Sequence, residues 1–284
     1  MTPLLDVQGV QKHFPRGTPL GRLEGWFSKG MRRTRDETTP QVVRAVDDVS
    51  FALEAGECLG LVGESGSGKS TLVRVITRLL DPTAGVIRFA GRDIASVPAS
   101  RFARDPARAA LQLVFQDPTD SLNPRYSAFA SIAEPLRRLG HIRGRTALRS
   151  RVEALADLVG LPGALLERLP HQLSGGQKAR VGIARAVALQ PSLLILDEPT
   201  SALDVSMQAV ILHLLANLRQ RLGMSYVFIS HDLNVIRLLC DRVLVMYRGK
   251  IIESGPSEAV LNRPEHAYTR ALVAALPTLA GEDC

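Results

Sequence analysis

A glycine-rich segment at residues 63–70 constrains the fold of this chain more than any other feature. It reads Gly-Glu-Ser-Gly-Ser-Gly-Lys-Ser, which fits the pattern G-x-x-x-x-G-K-[ST], and it stands between an apolar run at 58–62 and a helical pattern at 69–80. Such a loop turns backbone N–H groups toward phosphate oxygens, and the helix that follows adds its partial positive charge. An ordinary glycine-rich turn is the alternative, but the strand-loop-helix context favours a phosphate-binding loop.

Two side chains of this loop have specific expected roles. Lys69 is expected to reach the β- and γ-phosphates of a nucleotide, and the Ser70 hydroxyl can ligate Mg²⁺. The residues that we expect to bind the nucleotide here are Gly63, Glu64, Ser65, Gly66, Ser67, Gly68, Lys69, Ser70 and Thr71.

Strand and helix patterns alternate through the second half of the chain. Extended patterns lie at 192–197, 225–230 and 243–247, and helical patterns lie at 177–190, 204–222 and 232–240. This alternation predicts an α/β fold with a mostly parallel sheet that is covered on both faces.

The first half of the chain follows other patterns. Residues 4–14 and 42–54 read as strands, with a polar, basic loop between them, and residues 85–94 read as a hairpin. Residues 117–176 are mostly helical in pattern, rich in arginine, and broken by proline and glycine. We therefore predict that this range is a helical subdomain inserted into the α/β core.

Composition excludes several classes of protein. Hydrophobic residues make up 45% of the 284 residues, which excludes a largely disordered chain. Three scattered cysteines exclude a disulfide framework and favour a reducing compartment. No secretory signal or apolar run of about 18 residues is visible, so we expect no membrane-spanning helix.

The net charge of +7 first suggests nucleic-acid binding. However, the 30 arginines and five lysines are clustered: residues 12–35 carry seven basic residues, and residues 137–151 carry six arginines without an acid. The stretch 24–35 also contains Trp26 and Phe27, a combination that can seat a segment on an anionic membrane surface. For residues 24–35 the alternative is a solvated loop, and for residues 137–151 it is a solvated helix face.

Two adjacent acids, Asp197 and Glu198, end an apolar strand pattern that begins at residue 193. A buried strand would present Asp197 beside the phosphate-binding loop, where it could hold Mg²⁺. Glu198 is the natural general base for a water that attacks the γ-phosphate. A pair of helix caps is the alternative, and the upstream phosphate loop favours the catalytic interpretation.

A second candidate anion site is the pentapeptide Leu173, Ser174, Gly175, Gly176 and Gln177, which precedes a helical pattern. Serine and two glycines at a helix start can bind an anion, although an ordinary helix cap is the alternative. One nucleotide does not need two such sites from one chain. This redundancy suggests that the second site serves a nucleotide on another subunit.

Taken together and in this order, these motifs resemble those of the ATP-binding cassette (ABC) family of transporter ATPases, from residue 4 to about 277. GESGSGKS resembles the family's Walker A motif, LLILDE its Walker B motif, and LSGGQ its signature. The resemblance implies one domain over residues 1–284: a P-loop core with a mostly parallel sheet, an N-terminal antiparallel β portion, the helical subdomain at about 117–176, and a family-specific tail at about 256–284.

The resemblance also implies further site residues. Gln116 falls where the Q-loop glutamine lies and would touch Mg²⁺, and His231 matches the switch histidine at the γ-phosphate. Phe14 is the best candidate for the aromatic ring that stacks on adenine, and a core residue is the alternative. The D-loop matches Ser201, Ala202, Leu203 and Asp204. The implied cofactors are ATP and Mg²⁺, with Ser70, Gln116 and Asp197 as metal ligands.

A finer resemblance is to the ATPases of dipeptide and oligopeptide permeases. It rests on FQDP followed by Ser121-Leu-Asn-Pro-Arg125, and on His266-Ala-Tyr-Thr269, in which Ala267 replaces the group's proline. The implied function is ATP hydrolysis that drives a peptide importer at the cytoplasmic face of the membrane. The implied partners are a second ATPase subunit, two transmembrane permease subunits and an extracytoplasmic solute-binding protein, with no nucleic acid.

Two alternative functions stay open at this point. One is the ATPase of a related importer for nickel, glutathione or another small solute. The other is a non-transport ABC ATPase that acts on nucleic acid, which the positive charge permits. The residues Thr119-Asp120 and Lys178-Ala179 depart from the permease group's usual pattern. These departures bear on the transported solute and leave ATP binding unaffected.

Overall fold

The computed structural model describes residues 2–15, 42–140 and 142–275. Most of the predicted basic loop at 15–41, the aromatic and basic stretch at 24–35, and Cys284 lie outside these residues. The extent of the single domain and of its C-terminal tail therefore stays a prediction.

An antiparallel sheet is built from the N-terminal half of the chain. Its strands are β1 (Leu5–Pro15), β2 (Val42–Leu53), β4 (Ala84–Phe89) and β5 (Arg92–Asp93), in the spatial order β2-β1-β4-β5. β1 pairs antiparallel with both β2 and β4, and β4 pairs antiparallel with β5. The predicted hairpin at 85–94 and the antiparallel portion near the N-terminus are confirmed.

A second sheet of six strands has the order β10-β9-β3-β8-β7-β6. The strands are β3 (Cys58–Val62), β6 (Leu111–Val114), β7 (Leu193–Asp197), β8 (Ser225–Ile229), β9 (Arg242–Tyr247) and β10 (Lys250–Pro256). All neighbours are parallel except β10, which pairs antiparallel with β9. The mostly parallel sheet is confirmed, and β6 and β10 are strands that the sequence patterns did not predict.

Eleven helices connect or cover these strands within the described residues. They are α1 (Lys69–Ile76), α2 (Ala99–Phe102), α3 (Ala107–Ala110), α4 (Pro118–Ser121), α5 (Ala128–Arg138), α6 (Arg145–Leu158), α7 (Gly175–Val187), α8 (Val205–Leu222), α9 (Leu233–Leu239), α10 (Ser257–Asn262) and α11 (Ala267–Ala274). None of the helices in the described ranges combines the length and apolar composition that a membrane crossing needs.

Two hydrophobic clusters lie on opposite faces of the six-stranded sheet. One contains buried residues of α5 to α9, and the other contains α1 and the inner face of the antiparallel sheet. In β7 the side chains alternate between them: Leu193 and Ile195 belong to the second cluster, and Leu194 and Leu196 to the first. This is the two-residue period of a strand that is buried on both faces. The antiparallel sheet therefore contributes to the cover on one face.

The first helix is shorter than its sequence pattern predicts. It ends at Ile76 instead of residue 80, because Arg78 adopts a left-handed backbone with φ of 57°. The Arg78 guanidinium is buried and donates hydrogen bonds to the carbonyl of Val97 and to the carboxylate of Asp81. A buried cation needs such partners, and satisfying them turns the chain away from the helix.

Candidate functional site

The loop at 63–68 follows β3 and leads directly into α1. Gly63 and Gly68 have φ of 145° and 109°, a region that side chains rarely adopt. A Cβ at Gly63 would lie 2.1 Å from the carbonyl oxygen of Met246, and one at Gly68 would lie 2.1 Å from that of Ala45. The loop therefore passes so close to β9 and β2 that only glycine fits at these two positions.

The Lys69 ammonium lies inside this loop. Its Nζ donates to the carbonyl oxygens of Gly63 at 2.7 Å and Glu64 at 2.8 Å, with the Ser67 hydroxyl at 3.4 Å. Burial lowers the pKa of Lys69, while the carboxylates of Glu198 and Asp197 act in the opposite direction. The loop thus holds a cation at the place where we expect the phosphates to bind.

Asp197 lies at the carboxyl end of β7, next to α1. Burial, followed by the neighbouring charge of Glu198, raises the pKa of its carboxyl group, and a hydrogen bond with Ser70 lowers it. Its Oδ1 is buried without a hydrogen-bond partner among the residues that the structure describes. A buried oxygen of this kind, beside a hydroxyl, suits a hard cation such as Mg²⁺.

Three strand ends bring Glu198 together with two other predicted residues. The Gln116 Nε2 donates to Glu198 Oε2 at 3.1 Å, and His231 Nδ1 lies 3.5 Å from the same oxygen. Gln116 follows β6 by two residues, and His231 follows β8 by two. These strands flank β7 in the sheet, so their carboxyl ends meet at one edge.

One cavity of about 530 Å³ adjoins both the loop and this cluster. Its lining comprises Val43, Arg44, Ala45, Gly63, Ser65, Gly66, Gly68, Lys69, Ser70, Thr71, Gln116, Glu198, His231, Arg248 and Gly249. Most of the predicted nucleotide-binding residues are among them. Arg44 and Arg248 are additional cations that the sequence patterns did not single out, because each is an isolated arginine in or beside a strand.

Phe14 occupies a different place. It is half-buried on β1, where it pairs in register with Val43, and Lys12 Nζ lies 5.1 Å from its ring centre. Phe14 is not among the described residues that line the cavity, although its strand neighbour Val43 is. Its stacking on adenine stays a prediction.

The LSGGQ segment forms the start of α7, and none of its five residues is in the lining of the cavity that the described chain forms. Gln177 N–H donates to the Ser174 hydroxyl at 3.3 Å, and Gln177 Oε1 accepts from Ser174 N–H at 2.9 Å. This reciprocal pair is a capping box. Ser174 and Gly175 remain exposed, so their polar groups can meet a ligand from outside the chain.

The D-loop residues lie against this segment. A Cβ at Gly175 would lie 3.2 Å from Leu203, and one at Gly176 would lie 2.5 Å from the sulfur of Met207. Asp204 caps α8 by accepting a hydrogen bond from Met207 N–H at 2.9 Å, and Ser201 N–H donates to the carbonyl of Glu198. The D-loop therefore joins the end of β7 to the exposed start of α7.

The comparisons with known proteins agree with this geometry. Residues 46–201 match the family model described as ABC transporter. The chain belongs to this family. Its predicted membership and fold class are therefore confirmed.

Two relatives illustrate the similarity at the level of sequence. A probable peptide ABC transporter ATP-binding protein of Sinorhizobium fredii is 46% identical over 277 residues, which span 96% of this chain and 72% of the relative. The oligopeptide transport ATP-binding protein OppD of Mycobacterium tuberculosis is 49% identical over 235 residues, which span 83% of this chain and 38% of OppD.

Solved ABC cassettes have the same fold. The dimeric ATP-binding cassette MJ0796, in a post-hydrolysis state with ADP and Pi, aligns with a TM-score of 0.72 at 26% identity, covering 89% of this chain and 98% of that one. The cbiO1 protein of Clostridium perfringens, part of the cbiONQ transporter complex, aligns with a TM-score of 0.73 at 27% identity, covering 93% of this chain and 92% of that one.

Proposed function

We propose that this ABC protein is the ATP-hydrolysing subunit of a peptide importer. The observation that carries the proposal is the convergence of Lys69, Glu198 and His231 on one cavity at the carboxyl edge of the sheet. The names of the relatives in Sinorhizobium fredii and Mycobacterium tuberculosis support peptides as the transported class.

The phosphate groups of ATP would bind in the loop at 63–70. Lys69 Nζ has three N–H donors, so it would keep the carbonyl of Gly63 and exchange that of Glu64 for phosphate oxygens, a neutral acceptor for charged ones. The start of α1 and the loop amides would add further donors. The cations of Arg44 and Arg248 on the cavity wall favour an anionic ligand for the same reason.

Asp197, Ser70 and Gln116 are the residues that would hold Mg²⁺. They fit this ion because all three offer oxygen atoms, and Asp197 Oδ1 has no protein partner in the described part of the chain. Nowhere in these described ranges do three or more acidic, histidine or cysteine residues form a metal cage. A small protein ligand set is what Mg²⁺ requires when phosphate oxygens and water complete its shell. When bound, the ion would neutralise phosphate charge.

Glu198 would accept the proton of the attacking water. Its backbone has φ of 45°, an uncommon conformation that turns the chain away from the direction of strand β7. Gln116 donates a hydrogen bond to one of its carboxylate oxygens, and His231 lies beside the same oxygen. The Glu198 side chain is 20% exposed, so water can reach it. This arrangement positions a base without making it a buried ion pair.

A second ATPase chain would complete the site. Ser174 and Gly175 are exposed and lie apart from the cavity, so they would contact a nucleotide that the other subunit holds. MJ0796 is described as a dimer, which supports this pairing. The further partners would be two transmembrane permease subunits and an extracytoplasmic solute-binding protein, and the chain would act at the cytoplasmic face of the membrane.

Deletion and complementation in the source cell test the proposal. We expect loss of labelled dipeptide uptake on deletion and restoration by the wild-type gene. Glu198→Gln should fail to restore uptake, whereas Glu258→Gln, which removes an exposed carboxylate away from the cavity, should restore it. Unchanged dipeptide uptake with lost nickel uptake would refute the peptide assignment, and salt-dependent binding of the purified chain to DNA without any transport defect would refute an importer.

A further inference from the structure

The C-terminal helix α11 is in direct contact with the phosphate-binding loop. The hydroxyl oxygen of Tyr268 accepts a hydrogen bond of 2.8 Å from the backbone N–H of Glu64, across 204 residues of sequence. Tyr268 lies outside residues 46–201, the range that matches the ABC family model. The contact therefore ties a segment beyond the matched cassette to the centre of the site.

The same peptide group also holds Lys69. The carbonyl of Gly63 and the N–H of Glu64 belong to one planar unit, in which the two groups point in opposite directions. The carbonyl accepts from Lys69 Nζ at 2.7 Å, and the N–H donates to Tyr268. Fixing the N–H at one side therefore fixes the carbonyl that holds the lysine at the other, and the two hydrogen bonds polarise the peptide in the same sense.

Tyr268 is itself held in place from two sides. Its ring packs on that of Tyr247, with ring centres 4.3 Å apart, at the end of β9. His266 caps α11 by accepting a hydrogen bond from Tyr268 N–H at 3.1 Å. The carboxylate of Glu253 on β10 accepts from the N–H groups of Glu265 at 2.8 Å and His266 at 3.0 Å. These contacts fix the position from which the Tyr268 hydroxyl meets the phosphate-binding loop.

We propose that Tyr268 is a positioning residue for nucleotide binding, which orients the peptide between Gly63 and Glu64 and through it the Lys69 ammonium. The inference rests on the proposed role of the loop in binding ATP. A loop that is already ordered loses less conformational freedom when a ligand binds. Among the hydrogen bonds of the described residues, none joins Tyr268 to Glu198, so we expect its effect to fall on ATP binding and to leave the hydrolysis step unchanged.

The test compares Tyr268→Phe with wild type and with Tyr247→Phe. Tyr268→Phe removes only the hydroxyl that Glu64 uses. Tyr247→Phe removes a hydroxyl from the other ring of the same pair, and no hydrogen bond of that hydroxyl occurs among the described residues. We expect the Kd for ATP and the KM to rise about twofold to tenfold in Tyr268→Phe, the range of one net hydrogen bond, with kcat unchanged and Tyr247→Phe like wild type.

Other outcomes overturn the inference. Tyr268→Phe with wild-type Kd and KM, or with a lower kcat at unchanged KM, contradicts a positioning role. If the wild-type chain does not bind ATP, the proposed function fails. If the wild-type chain binds ATP and Tyr268→Phe binds it equally well, only the positioning role of Tyr268 fails. Amide hydrogen exchange at Glu64 in the wild-type chain gives a measurement that needs no variant: slow exchange supports the contact with Tyr268, and exchange at the rate of an open loop refutes it.

Discussion

Replacing Glu198 by glutamine tests the role of the carboxylate as a base while its other contacts are kept. The amide oxygen of glutamine can still accept the hydrogen bond from Gln116 and can still face His231, because both side chains approach the same oxygen. The contacts that position the side chain therefore survive the change. What is lost is the ability to take a proton from water.

The size of the effect on hydrolysis follows from the loss of the general base alone. Loss of a general base slows a reaction by about 10²–10⁴-fold, which raises the barrier by about 3–5 kcal/mol. ATP binding should be unchanged or tighter, because the carboxylate of Glu198 is one of the negative charges around Lys69 and its removal reduces repulsion of the phosphates.

The assay is single-turnover hydrolysis of radiolabelled ATP by the chain with its partner subunits, followed by gel filtration to count retained nucleotide. We expect Glu198→Gln to retain ATP and to hydrolyse it hardly at all. Glu258→Gln is the matched control, since it removes an exposed carboxylate on α10, away from the cavity, and should hydrolyse ATP normally. Wild-type turnover in Glu198→Gln would show that another group is the base, with His231 the next candidate, and loss of ATP binding would show that Glu198 is structural.

Three further predictions concern Lys69, Ser174 and Asp197. Lys69→Ala should weaken ATP binding strongly, because it removes the cation held in the loop; equilibrium titration checks this, and an affinity within twofold of wild type would contradict it. Ser174→Arg should leave ATP binding by this chain intact while abolishing hydrolysis of the partner's nucleotide, as measured in mixed assemblies with one variant subunit; full turnover there would contradict the pairing. Asp197→Asn should raise the melting temperature of the nucleotide-free chain at pH 7, because burial raises the pKa of Asp197 and its ionised form is disfavoured on folding. This gain should shrink as the pH falls below the raised pKa of the folded state, and it should be lost below the ordinary value of 3.8, where the carboxyl is protonated in both states; a gain independent of pH would refute the cause.

The parts of the fold that could be predicted are those determined by residues close together in the sequence. β7 and β8 appear in the sequence as short apolar runs because each is buried on both faces, and α8 begins directly after Asp204, the first residue of the helical pattern at 204–222. The motifs that predicted Gln116 and His231 are likewise short, and the structure brings both side chains to Glu198.

The unpredicted parts depend on contacts between distant residues. The end of α1 is set by the bonds of Arg78 to a carbonyl 19 residues away, which no local pattern contains. The contact of Tyr268 with the phosphate loop spans 204 residues. No sequence motif marks Arg44, and it becomes part of the site only because β2 passes beside the phosphate-binding loop.

The alternation of side chains along β7 also dictates the order of the two acids. Asp197 has the same parity as Leu193 and Ile195, so it inherits the side of the sheet on which α1 lies and on which Ser70 can reach it. Glu198 has the opposite parity and leaves the strand through its left-handed backbone. The dipeptide is therefore not a symmetrical pair of charges. Exchanging the two residues would put the base where the metal ligand belongs, and inserting one residue before them would send the metal ligand to the other side of the sheet.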